Sequence, residues 1–284
     1  MQFLSITWNI NPELITIGPI HLRYYGLLFV SGFILSYWLF TRMFKREDIP
    51  LAVLEKLTVI VAVATFVGLR LGHCFFYQPD YFLAHPLEIV LPVRFSPNFE
   101  FIGYQGLASH GGAIGILLGL WYFCRKYKKN YMWILDRIAI VIPLAGCLVR
   151  LGNLMNSEIY GNVTNLPWGF IFVREGETLP HHPTQIYEAL SYLALFFILN
   201  RLYYRSSLFG IRFTLKRGML IGIFLIILFT ARFLIEFIKE PQVGFEENML
   251  FNMGQLLSIP FIVGGVVIMW WSAKQNVPFN KNNS

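Results

Sequence analysis

Seven apolar stretches punctuate the chain, near residues 24–44, 57–77, 106–124, 133–150, 184–203, 218–238 and 253–272. Each approaches the ~20 residues that an α-helix needs to cross the hydrocarbon core of a bilayer. The pattern predicts an all-α, polytopic integral membrane protein of about seven transmembrane helices. It shows no internal repeat and no low-complexity linker, and is read as a single membrane domain over 1–284. Two connections stand out by length, 78–105 and 151–183. Both are rich in Pro, Asn and aromatic residues, so caps or short interfacial helices are expected there. The first twenty residues hold no Lys or Arg. No cleavable signal peptide is therefore expected, and the first span is expected to be retained.

Charge sorts the connections into two sets. One holds Arg42, Lys45 and Arg46, then Arg125, Lys126, Lys128 and Lys129, then Arg201, Arg205, Arg212, Lys216 and Arg217, with Lys274 and Lys281 in the tail. Away from span ends, the other set holds only Arg94, Arg174 and Lys239. The positive-inside rule then places the N-terminus outside and the C-terminus in the cytoplasm. An odd number of spans agrees with that topology. Trp133, Trp270, Trp271, Tyr203 and Tyr204 fall near span ends, where interfacial anchors belong.

Bulk composition supports the same class. Hydrophobic residues make up 56% and charged residues 14%, with mean hydropathy +0.55; a soluble domain carries about 25% charge. The net charge of +7 is thus a topological signal and not a nucleic-acid footprint. Cys74, Cys124 and Cys147 lie in or beside apolar segments without metal-ligand spacing. They read as small core hydrophobes.

Polar residues at membrane depth are costly, roughly 2.5–3.5 kcal/mol each for an ionisable group. The densest cluster is Arg150-Leu-Gly-Asn-Leu-Met-Asn-Ser-Glu-Ile-Tyr-Gly161, directly after the fourth apolar stretch. Four further groups need explanation. Tyr24-Tyr25-Gly26 opens the first span, where either tyrosine is an anchor or a site residue. Arg70 lies between Gly68 and Gly72 in the second span, as an ion-pair partner for Glu100, Glu158 or Glu188 or as a holder of an anion. Ser109-His110-Gly111-Gly112 opens the third; Gly111, Gly115 and Gly119 recur every four residues, a close-packing face, while His110 is either a packing histidine or a proton acceptor. Arg232 and Glu236 share a helix face in the sixth span, which fits an intrahelical salt bridge. By span polarity, however, Arg232 lies near the face of Arg150 and His110. Two arginines at one depth call for something anionic between them, and guanidinium groups suit phosphate. His181-His182-Pro183-Thr184-Gln185-Ile-Tyr187-Glu188 adds polar groups at the fifth span; adjacent histidines do not face one site, so no metal is expected.

Taken together, these residues resemble the prolipoprotein diacylglyceryl transferase family. The family signature, approximately Gly-Arg-x-Gly-Asn-Phe-x-Asn-x-Glu-x-x-Gly, is matched from Val149 to Gly161, with Val149 for the first Gly and Leu154 for the Phe. Every polar position is kept. The likeness extends to Tyr25-Gly26, Arg70 with its glycines, His110-Gly111-Gly112, His182-Pro183-x-Gln185-x-Tyr187-Glu188, Arg232 with Glu236, and Met253-Gly254-Gln255-x-x-Ser258-x-Pro260. Lys239 stands where arginine is expected, a departure that bears on a peripheral charge contact.

The resemblance implies transfer of the diacylglyceryl group of phosphatidylglycerol to the lipobox cysteine thiol of prolipoproteins. A thioether forms and glycerol phosphate leaves, in the first step of bacterial lipoprotein maturation. It implies neither cofactor nor metal. It also implies the bacterial inner membrane, with the site toward the external face. Within that reading His110, Arg150 and Arg232 are the catalytic candidates. The substrate supplies the nucleophile, His110 takes its proton, and the arginines stabilise charge on the leaving phosphate. An arginine-assisted thiolate, with His110 only positioning substrate, is the variant mechanism. Arg150, Tyr25, Asn153, Asn156, Arg70 and Gly161 are expected to bind phosphatidylglycerol. Glu158 and Glu236 are expected to orient the arginines, with His182, Gln185, Tyr187 and Glu188 in support. A transporter for an anionic solute ranks second and an intramembrane serine protease third. The first lacks repeats or paired broken helices. The second lacks a serine facing a histidine, because Ser109 and His110 are neighbours.

Overall fold

The computed structural model describes residues 5–18, 20–91, 93–95, 99–101, 108–240, 251–275 and 279. Seven long helices carry the chain: α1 (Tyr24–Arg46), α2 (Leu51–Phe76), α5 (Ser109–Lys126), α6 (Tyr131–Met155), α7 (Thr184–Arg205), α8 (Met219–Ile235) and α9 (Met253–Lys274). Two short helices, α3 (Pro79–Ala84) and α4 (Leu87–Val90), fall inside the connection expected to hold such elements. Among the described residues, five helices are long and apolar enough to cross a membrane: α1, α2, α6, α9, and α8 extended to Ile238 by a 3-10 turn. α5 and α7 fall outside that set. α5 opens on Ser-His-Gly-Gly and closes on Arg-Lys, and α7 carries Gln185, Glu188, Asn200, Arg201 and Arg205.

The chain divides into two compact units, Met1–Met43 with Leu135–Lys281, and Phe44–Ile134 with Asn282–Ser284. In the second unit, α2 and α5 pack backbone to backbone. A Cβ added at Gly72 would come within 2.7 Å of the Gly111 Cα, and one at Gly119 within 2.7 Å of the Ala64 Cβ. Gly68 and Gly115 are equally closed by each other and by the Ala64 and Gly111 backbones. The four-residue glycine spacing does form a packing face. Arg70, buried at the end of this pair, donates from Nε to the Ile89 carbonyl at 3.1 Å and from Nη2 to the Glu88 carbonyl at 2.6 Å. Its guanidinium also lies over Phe82, 4.9 Å from the ring centre. It thereby ties α3 and α4 to α2. The Glu88 carboxylate accepts from the Phe95 N–H and the Tyr81 hydroxyl, and those donors hold it below the usual carboxylate range.

The first unit contains the strands the apolar pattern did not show. β1 (Ile6–Trp8) runs parallel to β6 (Phe170–Phe172). β2 (Glu13–Ile17) and β3 (Ile20–Arg23) form an antiparallel hairpin. Two smaller hairpins complete the set, β4 (Val93–Arg94) with β5 (Glu100–Phe101) in the second unit, and β7 (Ser207–Leu208) with β8 (Ile211–Arg212) in the first. Strands of two to five residues are too short for period-two alternation to register. The start of α8 is held by a group inside α6: the Asp136 carboxylate accepts from the N–H of Gly218 at 2.7 Å and of Ile221 at 3.0 Å. An anion at a helix N-terminus satisfies orphan donors and opposes the helix dipole. Next to it, Arg137 lies over Phe279 at 4.5 Å and Tyr203 at 5.7 Å.

Two expected anchors are therefore corrected. Tyr203 is buried against Arg137 and Phe279. Trp133 is buried too, where it donates to Glu47 at 2.8 Å. Trp270 and Trp271 stay exposed, as anchors should. The three cysteines are free and buried, as expected of core hydrophobes.

Substituting Gly111→Ala places a methyl against the backbone of Gly68 and Gly72 and should destabilise the α2–α5 pair by about 1–3 kcal/mol, the usual overpacking range. Gly264→Ala, where a Cβ meets nothing within 4 Å, should be silent. Thermal unfolding in detergent checks both, and equal midpoints for the two variants would contradict the packing.

Candidate active site

α6 runs on to Met155, past the span end that the sequence suggests. Arg150 and Asn153 consequently occupy its last turns, and the loop begins only after them. A helix carries these groups at fixed spacing, so their partners follow from its register. Arg150 pairs with Glu188 of α7, Nε to Oε2 at 2.9 Å, although the approach is off the hydrogen-bond direction. Its Nη1 reaches the Asn153 Oδ1 at 3.5 Å. Asn153 and Asn156 donate to opposite oxygens of Glu158, at 3.0 and 3.1 Å. Glu158 thus orients the two asparagines, and Arg150 takes its carboxylate from Glu188.

Glu188 is 0% exposed, and its other oxygen receives Lys239 at 3.1 Å. Lys239 also contacts Glu236 at 3.3 Å. The contact expected to be peripheral is in fact central and buried. Glu236 does not form the i,i+4 bridge to Arg232, because the helix tightens into a 3-10 turn over Glu236–Ile238. That tightening changes the spacing of side chains along the helix face, and Lys239 becomes the partner. Gly254 at the start of α9 has no room for a Cβ because the Glu236 carboxylate occupies the place. This accounts for one glycine of the Met253-Gly254-Gln255 motif.

Arg232 makes no ion pair among the described residues, and its buried Nε has no hydrogen-bond partner. It shares one side chain with Arg150: the Tyr192 hydroxyl lies in the field of Glu188, Arg150 and Arg232. Tyr192 approaches α6 because Gly146 leaves space; a Cβ there would sit 3.0 Å from its ring. Two cations, Arg150 and Lys239, therefore meet two buried carboxylates, Glu188 and Glu236, while Arg232 stands apart from both.

The loop after α6 carries backbone strain. Ser157 and Ile159 have φ of 58° and 61°, and for a β-branched residue this is a true outlier. α7 clamps it: the Thr184 hydroxyl donates to the Ile159 carbonyl at 2.8 Å, and Gln185 Nε2 to the Glu158 carbonyl at 2.7 Å. Gly161 bridges to the strand-like Lys239, and its Cβ position is filled by Ile238, Thr184 and His182. Gly161 therefore acts through close backbone approach. His181 contacts the Gly161 carbonyl at 2.8 Å and Glu177 at 3.0 Å. His182 lies 3.3 Å from the Tyr187 hydroxyl; burial, then the neighbouring His181, hold its imidazole below the usual range. Trp8 of β1 donates to the Leu154 carbonyl at 3.0 Å, capping α6.

Tyr25 packs on Gly152, where a Cβ would come within 2.8 Å of its ring. A polar cavity of about 450 Å³ opens beside Asn156 and Glu158, with Arg23 and Arg174 also on its wall. So Tyr25, Arg150, Asn153, Asn156, Glu158, Gly161, His182, Gln185, Tyr187, Glu188, Arg232 and Glu236 all belong to the first unit. Arg70 and His110 belong to the second, where His110 is exposed in the first turn of α5. Tyr192 and Trp8 are the members that sequence reasoning passed over, and Lys239 is the one it placed at the periphery. For Lys239 a signal existed, since it is one of few basic residues in the sparse set of connections.

The family profile of prolipoprotein diacylglyceryl transferase matches residues 12–271. The chain belongs to the prolipoprotein diacylglyceryl transferase family. A Bacteroides fragilis relative named phosphatidylglycerol–prolipoprotein diacylglyceryl transferase is 45% identical over 274 residues, 96% of this chain and 97% of its own length. Relatives of the same name from Tolumonas auensis (45% identical, covering 94% of this chain and 98% of theirs) and Vibrio cholerae (34%, covering 95% and 94%) match as fully.

Replacing Lys239 with Met should destabilise the protein by about 3–5 kcal/mol, because Glu188 and Glu236 lose a buried counter-charge. Lys239→Arg should restore most of it. Chemical or thermal unfolding decides the matter; a silent Lys239→Met would mean the carboxylates are protonated or solvated.

Proposed function

We propose that this chain transfers the diacylglyceryl group of phosphatidylglycerol to the lipobox cysteine of prolipoproteins, releasing glycerol phosphate in the first step of lipoprotein maturation. Family membership and the names of its full-length relatives support the reaction. The observation that carries the chemistry is Arg232, half-buried, with a buried Nε that has no hydrogen-bond partner among the described residues, sharing Tyr192 with Arg150. Glu188 is shared by Arg150 and Lys239, and Glu236 is engaged by Lys239, so neither pairs with Arg232. An anionic phosphodiester supplies the missing charge, bound through the guanidinium forks.

In the reaction, the substrate sulfur attacks the glyceryl carbon that bears the phosphate. A C–S bond forms as the C–O bond breaks, and the electron pair leaves on the phosphate oxygen. Arg150 and Arg232 stabilise that growing charge, a use of preset cations at the place where charge develops. The thiol proton goes to His110; a free thiol near pKa ~8.5 needs such help at neutral pH. Asn153, Asn156 and Tyr25 hold headgroup hydroxyls. Glu158 orders the asparagines, and Glu188 and Glu236 order the cations. Gly161, with Gln185, Tyr187 and His182, shapes the wall. Arg70 serves lipid binding by fixing the α3–α4 segment. In this reading the chain works as one membrane domain with seven spans in the bacterial inner membrane, N-terminus outside and C-terminus cytoplasmic, its site open to the external face.

Purified protein in phosphatidylglycerol-containing micelles, given a lipobox peptide, should form a thioether and release glycerol phosphate. A peptide with serine in place of the lipobox cysteine should give neither. Arg150→Ala and Arg232→Ala should each slow transfer by about 10²–10³-fold, the range for removing one charge-stabilising donor. Residual activity in His110→Ala would move the base elsewhere. Folded wild-type protein that forms no thioether would overturn the reading.

A further inference from the structure

At the end of the first unit remote from Glu188 lies a second cavity, about 650 Å³, lined by Arg42, Phe197, Asn200, Arg201, Tyr204 and Arg205. The five residues of α7 fall at positions i, i+3, i+4, i+7 and i+8, one face of a helix, and Arg42 reaches across from α1. Arg201 is thirteen residues beyond Glu188, which puts the cavity about 20 Å further along α7. We propose that this cavity binds the phosphate of an anionic glycerophospholipid, in the leaflet opposite the candidate active site.

Exposed arginines usually mark nothing more than a solvated face, so the case rests on what surrounds these three. None of them makes an ion pair among the described residues, although all three line one cavity. Like charges so placed repel unless an anion joins them. Asn200 lines the same wall, and its buried Oδ1 atom has no hydrogen-bond partner among the described residues; a headgroup hydroxyl donates to such an oxygen, and a headgroup phosphate accepts from the guanidinium groups beside it. Two arginines each follow an aromatic residue four positions earlier on their own helix. Arg42 lies over Trp38 at 4.5 Å, and Arg201 follows Phe197, itself 59% exposed. Both aromatic residues lie nearer the middle of their helices, where acyl chains run, and both arginines lie nearer the ends, where phosphates lie. A soluble phosphate has no use for that apolar half. Basic pockets at the cytoplasmic ends of transmembrane helices recognise anionic headgroups in this way.

The test is native mass spectrometry of the full chain released from detergent with added phosphatidylglycerol, or with phosphatidylcholine of identical acyl chains. Phosphatidylglycerol held at the candidate active site is common to all variants and cancels in the comparison. The Arg42→Gln/Arg201→Gln/Arg205→Gln variant should retain one phosphatidylglycerol fewer per chain than wild type, with no difference in phosphatidylcholine. Each single substitution should weaken that binding about fivefold, as about 1 kcal/mol per basic residue predicts. Excess inorganic phosphate should not displace the lipid. Equal counts in wild type and variant, equal loss of phosphatidylcholine, or displacement by inorganic phosphate would each overturn the proposal. An unchanged unfolding midpoint shows that the triple variant is folded, and the single substitutions keep the test open if it is not. The readout is lipid retention alone, so it stands apart from any failure of the transfer reaction.

Discussion

Everything in the candidate site depends on one carboxylate. Glu188 has no exposed surface, and an ion so placed is tolerated only when its charge is matched and its geometry fixed. Arg150 and Lys239 supply the match from different elements, the end of α6 and the turn after α8. Because both must reach the same group, α6, α7 and α8 are locked in register at that depth. The strained loop at Ser157 and Ile159 follows from this lock. It must leave α6 within two residues of Met155 and still deliver its carbonyls to Thr184 and Gln185 on α7.

The same constraint explains why small residues recur around the site. Gly146 admits Tyr192, Gly152 admits Tyr25, Gly161 admits Ile238, and Gly254 admits Glu236. At each one a side chain or backbone group occupies the space that a Cβ would fill. In the second unit, Gly68, Gly72, Gly111 and Gly115 bring two helices together backbone to backbone. Glycine thus does two jobs in this chain. One is lipid-like close packing of helices; the other is making room for the aromatic and charged groups of the site.

Much of this was legible from residues alone, and the limits have physical causes. The helices were readable because twenty apolar residues in a row have few other uses in a folded chain. The signature from Arg150 to Gly161 was readable because ionisable groups at that depth are expensive. What sequence could not give was partnership. Arg232 and Glu236 stand four apart, the spacing of an intrahelical bridge, yet a 3-10 turn hands Glu236 to Lys239. Asp136 and Arg137 sit within an apolar stretch and gave no sign that one would cap α8 and the other would lie against Tyr203 and Phe279. The N-terminal strands were invisible because pairings such as Ile6 with Phe170 join residues far apart in the chain. No local pattern encodes that kind of contact.

The distribution of matched charge among the described residues then separates the cations bound into the fold from those proposed to meet the substrate. Lys239 touches two carboxylates, and Arg70 is spent on the carbonyls of Glu88 and Ile89. Both stabilise the fold, and neither has an obvious surplus to offer a ligand. Arg150 is intermediate, since its Nε faces Glu188 while Nη1 makes only a 3.5 Å contact with Asn153. Arg232 is the extreme case, with a buried N–H that has no acceptor among the described residues. A buried donor left unmade costs about 1–3 kcal/mol, more for a charged group. That Arg232 is in this condition among the described residues, while Lys239 a few residues away is satisfied, is the contrast on which its proposed role toward a phosphate rests.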